Sequence, residues 1–354
     1  MGPLRTVRRV RAALFLVFFA LTALIMWRNP GQRPYDPHYG LVTPVDASSR
    51  FAIVTFLGSD LTHKEEDRYF IACRILTYQL LYANETRIGD EVRDRIDWIV
   101  AVTSGVDAWK REQLEADGAT VVELEDVPLR WWVRTWVSRW ADQFTKLRLL
   151  LWTEYARVLF LDADTLLEAP LDDIFFSRES IVPAKTDFKY RKGDEADLPA
   201  EYVFLAAQDH QFTGKRLHEV PPGKNSTGSL SAGFWLAAPS PELYAYLMSV
   251  MEHYRRFDPA TMEQSLLNYA LRRCDVSRKE MEASGECPAG RRRGPMPWGE
   301  LEWRWSSTWP SMADSDAGVA SFHEKFWKAG PRGLRRRWRK WRAMMEDELG
   351  FPYR

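Results

Sequence analysis

The chain has 354 residues, with 49 Lys+Arg against 49 Asp+Glu and a formal net charge of zero. A hydrophobic fraction of 45% supports one large domain or two small ones and excludes disordered and collagen-like classes. Charge balance argues against a nucleic-acid binder, three cysteines are too few for a disulfide scaffold, and sixteen tryptophans offer flat surface for core packing or carbohydrate stacking.

Residues Ala12 to Trp27 are uncharged and almost wholly apolar. Sixteen helical residues span roughly 24 Å, short for a ~30 Å hydrocarbon core but sufficient for a thinner endomembrane. Arg5, Arg8, Arg9 and Arg11 precede them, which holds the N-terminus in the cytoplasm. The expectation is a cytoplasmic tail (1–11), a signal-anchor transmembrane helix (12–27) and a luminal remainder. A cleaved signal peptide is the alternative, although bulky Ile25, Met26 and Trp27 offer no small-residue cleavage site. Residues 28–50, with Pro30, Pro34, Pro37 and Pro44, read as an extended stem. The sequons at Asn84 and Asn225 agree with a luminal domain. An oxidising lumen also permits a Cys274–Cys287 disulfide, leaving Cys73 on an apolar helix face.

Phe51–Leu57 reads as a first strand, and Tyr69, Phe70, Cys73, Leu76 and Leu80 have helical spacing. Strands at Asp97–Thr103 and Ala119–Leu124 flank a polar helix around Val106–Ala116. A helix from about Ala141 to Tyr155 leads into the strand Arg157–Leu161. Alternation of this kind predicts an α/β fold with a mostly parallel central sheet and helices on both faces. Ligands then sit beyond the carboxyl ends of the strands. Trp132, Trp136 and Trp140, preceded by Trp131, recur every four residues on one helical stripe, for core packing or for stacking an acceptor sugar. Further along lie a strand at Leu230–Ala238 and helices near Pro241–Arg256 and Thr261–Arg273. A basic, Trp-bearing helix at Arg332–Arg342, within a C-terminal segment 331–354, reads as a solvated cap or as a contact with anionic membrane.

Asp162-Ala163-Asp164 directly follows the fourth strand. Two carboxylates separated by one residue reach a single hard divalent cation while the intervening side chain points away. Such an ion bridges the phosphates of a nucleotide sugar and neutralises the charge that develops as the diphosphate leaves. A second pair, Asp314 and Asp316, has no strand before it and reads as solvent-facing.

The block Lys146–Phe175 (KLRLLLWTEYARVLFLDADTLLEAPLDDIF) resembles the central block of the glycogenin-like glycosyltransferases, family 8 of the retaining enzymes with a GT-A fold. Leu230–Ser240 (LSAGFWLAAPS), Glu263–Asn268 (EQSLLN) and Ser321–Trp327 (SFHEKFW) resemble further blocks of that family in the same order, so the likeness spans about residues 51–330. It implies that Asp162, Asp164 and His323 hold a metal, a set suited to Mn²⁺ (or Mg²⁺). It also implies that Leu57 and Tyr69 lie where uracil and ribose bind, although Tyr69 equally fits a core position. Lys146, Ala163 and Lys325 fall at the donor; Ser231, Ala232 and Gln264 fall near the donor sugar and acceptor, and Glu263 is an acceptor-side candidate for catalysis. Ser231 stands where Asn is typical and Glu263 where Asp is typical, which leaves the sugar open. The polar stretch between Ser59 and Asp67 is extra, and the His323 element lacks the usual Gly and Pro-Trp ending.

The resemblance implies a retaining, metal-dependent transferase moving GlcNAc or glucose from a UDP-sugar to a glycan acceptor. With the anchor, it implies a single-pass protein of the Golgi or ER, similar to membrane-anchored fungal members of the family. Retention by same-face attack and by a covalent intermediate both stay open. The rivals are a membrane-anchored sugar-binding protein or inactive transferase serving as an assembly partner, and a nucleotidyltransferase. The last needs a Gly-rich phosphate loop that is not found near Phe51–Asp60.

Overall fold

A computed structural model describes residues 38–59, 67–134, 138–209, 229–274 and 293–351. The expected anchor, the sequon Asn225 and Cys287 lie outside the described residues, as do the side chains of Trp136 and Trp140. Among the described residues no helix is long and apolar enough to cross a membrane.

The first half alternates as the periodicity predicts: β1 (Phe51–Leu57), α1 (Arg68–Leu81), β2 (Ile96–Val102), α2 (Ala108–Ala116), β3 (Thr120–Glu123) and β4 (Arg157–Leu161). The chain continues through β5 (Thr165–Leu167), β6 (Phe204–Gln208), β7 (Leu230–Ala237), α3 (Pro241–Glu252) and α4 (Met262–Ala270). It closes with β8 (Gly299–Glu300), β9 (Ser307–Thr308), β10 (Ser321–His323) and α5 (Arg332–Leu349). The central sheet runs β8-β6-β7-β4-β1-β2-β3. It is mixed: β7 is antiparallel to both neighbours, and the other junctions are parallel.

Every residue of β1, β4 and β7 is buried. Strands without polar alternation must be covered on both faces, and the core clusters divide accordingly. Ala52, Val54 and Phe56 pack toward α3, α4 and the helix Ser138–Leu151, while Phe51, Ile53 and Leu57 pack toward α1. The helix expected from about Ala141 to Tyr155 is found at Ser138–Leu151, wound as a 3-10 helix. Its buried Phe144, Leu147 and Leu150 recur every three residues, the spacing at which a three-residue turn brings side chains into line.

The tryptophan stripe does not form where it begins. Trp131 and Trp132 occupy a turn: Trp132 is buried and donates to the Met251 carbonyl at 3.1 Å, whereas Trp131 is exposed and stacks on Tyr254. Cys274 is disulfide-bonded, and Cys73 is free and buried. Asp314 corrects the solvent-facing reading. It is buried in a capping box with Ser311 at the start of a short helix, Met312–Asp316; Asp316 is exposed.

Helix α5 also departs from the solvated-cap reading. Leu334, Trp338, Trp341 and Met345 form a buried stripe at helical spacing that packs on Ile71, Ile75 and Tyr78 of α1. Helix α1 is therefore covered on both sides, which explains its uninterrupted burial from Phe70 to Leu80. Arg74, in its middle, is fully buried and pairs with Asp117 at 2.5 Å, and it donates to the Gly350 carbonyl at 2.9 Å. One guanidinium thus ties α1 to the ends of α2 and α5.

Candidate active site

Strand β4 ends in the middle of the sheet, between β1 and β7, and delivers Asp162 and Asp164 to its carboxyl edge. The turn is set by the backbone: Asp162 N–H donates to the Gly233 carbonyl (2.9 Å), and Thr165 N–H donates to the Asp162 carbonyl (3.0 Å). Strand β5 then pairs antiparallel with β10, opposing Thr165 to His323. Glu324 N–H donates to the Asp164 carbonyl at 3.1 Å. This register carries a histidine from far along the chain onto the two aspartates. His323 Nε2 lies 3.0 Å from Asp164 Oδ1 and 3.6 Å from Asp162 Oδ2. One ligand atom from each of the three residues falls within 4.8 Å of the others.

Gly233 on β7 makes the approach possible. A β-carbon there would sit 2.4 Å from His323 Cε1 and 2.8 Å from Asp162 Oδ2. Only a residue with no side chain leaves room for the imidazole and carboxylate together.

Lys146 is almost fully buried, with its ammonium 2.6 Å from Asp162 Oδ1 and 3.1 Å from Glu263 Oε1. Burial opposes its charge, but the two carboxylates outweigh that cost and hold its pKa above the ordinary lysine range. Burial likewise disfavours the charge on Asp164, yet His323 and Lys325 hold its carboxyl below the usual range. At Glu263 burial prevails and the pKa is raised. Its Oε2 is buried without a hydrogen-bond partner. Met262, just before it, has φ +56°. That left-handed backbone turns the chain into α4, so that Glu263 and Gln264 both reach the cavity.

These groups line a cavity of about 480 Å³. Tyr69, Lys146, Ala163, Ser231, Ala232, Glu263, Gln264 and Lys325, all expected at the site, lie on its wall with the three metal candidates. Tyr69 is half-buried and meets Trp327 edge-on. Ser231 is buried, and its hydroxyl accepts from Gly233 N–H at 3.3 Å. Gln264 is held at both ends: Oε1 accepts from Ala232 N–H (3.0 Å) and Nε2 donates to Asp209 (2.8 Å). Lys325 Nζ lies 3.6 Å from Asp164. Leu57 is the exception. Strand alternation turns its side chain into the core, and Phe56, Gly58 and Ser59 line the cavity instead.

The residues fit a divalent cation. Six carboxylates face the cavity (Asp67, Asp162, Asp164, Asp209, Glu263 and Glu324) against two lysines and one histidine. So acidic a wall favours a bound cation, and two carboxylates with one imidazole suit Mn²⁺ or Mg²⁺. Gly233, Asp209 and Trp309 were not singled out from the sequence. Gly233 stood inside a recognised block, whereas Asp209 and Trp309 had no local signal.

No protein-family model matches the chain. It is 28% identical over 328 residues (84% of this chain, 77% of the relative) to Uncharacterized protein C4C3.09 of Schizosaccharomyces pombe. It is 24% identical over 164 residues (44% of this chain, 26% of the relative) to inositol phosphorylceramide glucuronosyltransferase 1 of Arabidopsis thaliana. Among solved structures, mouse xyloside xylosyltransferase 1 aligns with 80% of this chain and 100% of its own, at 13% identity and a TM-score of 0.44.

Proposed function

We propose that this protein is a metal-dependent glycosyltransferase that moves a sugar, GlcNAc or glucose, from a UDP-sugar to a glycan acceptor with retention of configuration. The observation that carries this reading is the convergence of Asp162, Asp164 and His323 within 4.8 Å at the carboxyl edge of the central strand. Their cavity has the size of a small-molecule site. The Arabidopsis relative, a glucuronosyltransferase by name, supports the same class. The apolar segment 12–27 supports a single-pass placement in the Golgi or ER membrane with the catalytic body in the lumen.

Asp162, Asp164 and His323 would hold the cation. When bound, it supplies positive charge against the leaving diphosphate, the kind of stabilisation that dominates many such reactions. The remaining work falls to the chain. Lys146 fixes the Asp162 carboxylate at 2.6 Å and shields it from Glu263. Gln264, clamped between Ala232 and Asp209, presents a fixed amide to the sugar. Lys325, partly exposed beside Asp164, adds a cation for phosphate oxygens.

The test is UDP release from a panel of UDP-sugars by the purified protein, with and without Mn²⁺. Wild type is expected to turn over one donor with Mn²⁺ only. Asp164→Ala is expected to lose at least 100-fold in that rate (on the order of the ~3 kcal/mol that one electrostatic catalytic group supplies) while keeping its circular dichroism. Full activity in that variant refutes the assignment.

A further inference from the structure

The cavity has two ends, on opposite sides of the aspartate–histidine cluster. Gly58 and Ser59, which follow β1, lie toward one, and Asp209, which follows β6, lies toward the other. The sheet order sets this polarity, because β1 and β6 lie on opposite sides of β4. Trp309 belongs to the β6 end. It follows Thr308, which pairs with His323 in register and whose hydroxyl donates to the Gln208 carbonyl at 3.1 Å.

Trp309 is unusual in conformation and in exposure. Its φ is +57°, a left-handed backbone that costs a bulky residue on the order of 1–3 kcal/mol and that glycine adopts freely. It precedes Pro310, which further restricts its backbone. Of the aromatic side chains on the cavity wall, Phe56 is buried and Tyr69 is half-buried, while the Trp309 indole is 45% exposed. A left-handed backbone thus carries a part-exposed indole on the cavity wall.

We propose that Trp309 is the stacking platform for a pyranose ring of the acceptor, and so a specificity-determining residue of the transfer. This rests on the glycosyltransferase reading. A nucleotide lying over the β1 end, with its phosphates at the cluster, leaves the β6 end for the acceptor. A pyranose has a C–H-rich face that lies flat on an indole, while its hydroxyls radiate outward. On this wall they meet the Asp209 carboxylate, itself held by the Gln264 amide at 2.8 Å. A flat apolar face with one or two fixed polar groups at its edge is the usual form of a sugar-sized subsite.

The test uses the full chain and two probes. UDP with Mn²⁺ is titrated by calorimetry. Then methyl α-mannoside, methyl β-galactoside and methyl β-glucoside are titrated into the UDP- and Mn²⁺-saturated protein by saturation-transfer NMR. At least one glycoside is expected to bind to wild type, about tenfold more weakly to Trp309→Ala, and within threefold of wild type to Trp309→Phe. UDP affinity is expected to change less than twofold in both variants. Trp309→Gly keeps the test independent of folding, since relief of strain is expected to leave its melting temperature at or above that of wild type while glycoside binding is lost. The proposal is overturned if no glycoside binds wild type, if Trp309→Ala binds as wild type does, or if Trp309→Ala instead loses UDP affinity. Failure of the glycosyltransferase reading shows separately, as no binding of UDP by wild type in the first titration.

Discussion

A single methyl group at Gly233 should separate the metal candidates, because a β-carbon there would lie 2.4 Å from His323 and 2.8 Å from Asp162. Gly233→Ala is expected to weaken Mn²⁺ binding by about 10–100-fold, the usual effect of disturbing what orients a ligand residue. Calorimetric Mn²⁺ titration measures this, and unchanged affinity would show that the imidazole does not depend on that space. Lys146 is the second residue on which the site turns. Lys146→Met leaves Glu263, 3% exposed, without its counter-charge. The expected cost is about 3–5 kcal/mol in urea unfolding at neutral pH. The sign with pH follows from the raised pKa of Glu263. The folded state keeps this proton to higher pH than the unfolded chain does. Stability therefore falls as pH rises from the ordinary glutamate range toward the raised folded value. Lys146→Met should accordingly be less destabilised at pH 5 than at pH 7.5, and an equal loss at both would place the cost elsewhere.

Among the elements, α5 shows how a helix dominated by arginine still belongs to a core. Its apolar residues are few, but Leu334, Trp338, Trp341 and Met345 fall on one stripe and bury against α1. Trp338 also lies 6.0 Å from Trp327, which meets Tyr69 edge-on at 5.1 Å, so the helix braces a wall of the cavity. Trp338→Ala is expected to cost about 3–5 kcal/mol of unfolding free energy, as for other large aromatic truncations in cores. A loss under 1 kcal/mol in chemical denaturation would return α5 to the role of a solvated appendage.

For the molecule as a whole, a cation that binds only the folded chain must stabilise it. At a free Mn²⁺ concentration 100-fold above its dissociation constant, the gain is about 2.7 kcal/mol. Differential scanning fluorimetry should show a melting temperature that rises with Mn²⁺ and falls back with EDTA. Asp164→Asn should respond far less, because it lacks one of the three ligand groups. Equal Mn²⁺ shifts in both proteins would place the cation elsewhere.

The alternation of strands and helices was legible in the sequence because burial on one face leaves a period of 2 or 3.6, and burial on both faces of a strand leaves a short continuous apolar run such as Phe51–Leu57. The Asp162–Asp164 pair was equally legible, since both carboxylates come from one strand end and their relation is local. Helix α5 was half legible: its apolar stripe was present, but arginine density masked it. Other features depend on pairing between distant segments. The approach of His323 comes from the β5–β10 register, the space for it from Gly233 on β7, and the position of Trp309 from β9 beside β10. No residue near Asp162 in the chain encodes those distances. The sequence alone thus determined the layers, the Asp162–Asp164 pair and, through the family resemblance, His323 as the third metal candidate. Tertiary structure decided how those three side chains meet and that Gly233 and Trp309 join them at the cavity, because strand register acts between segments that local periodicity does not connect.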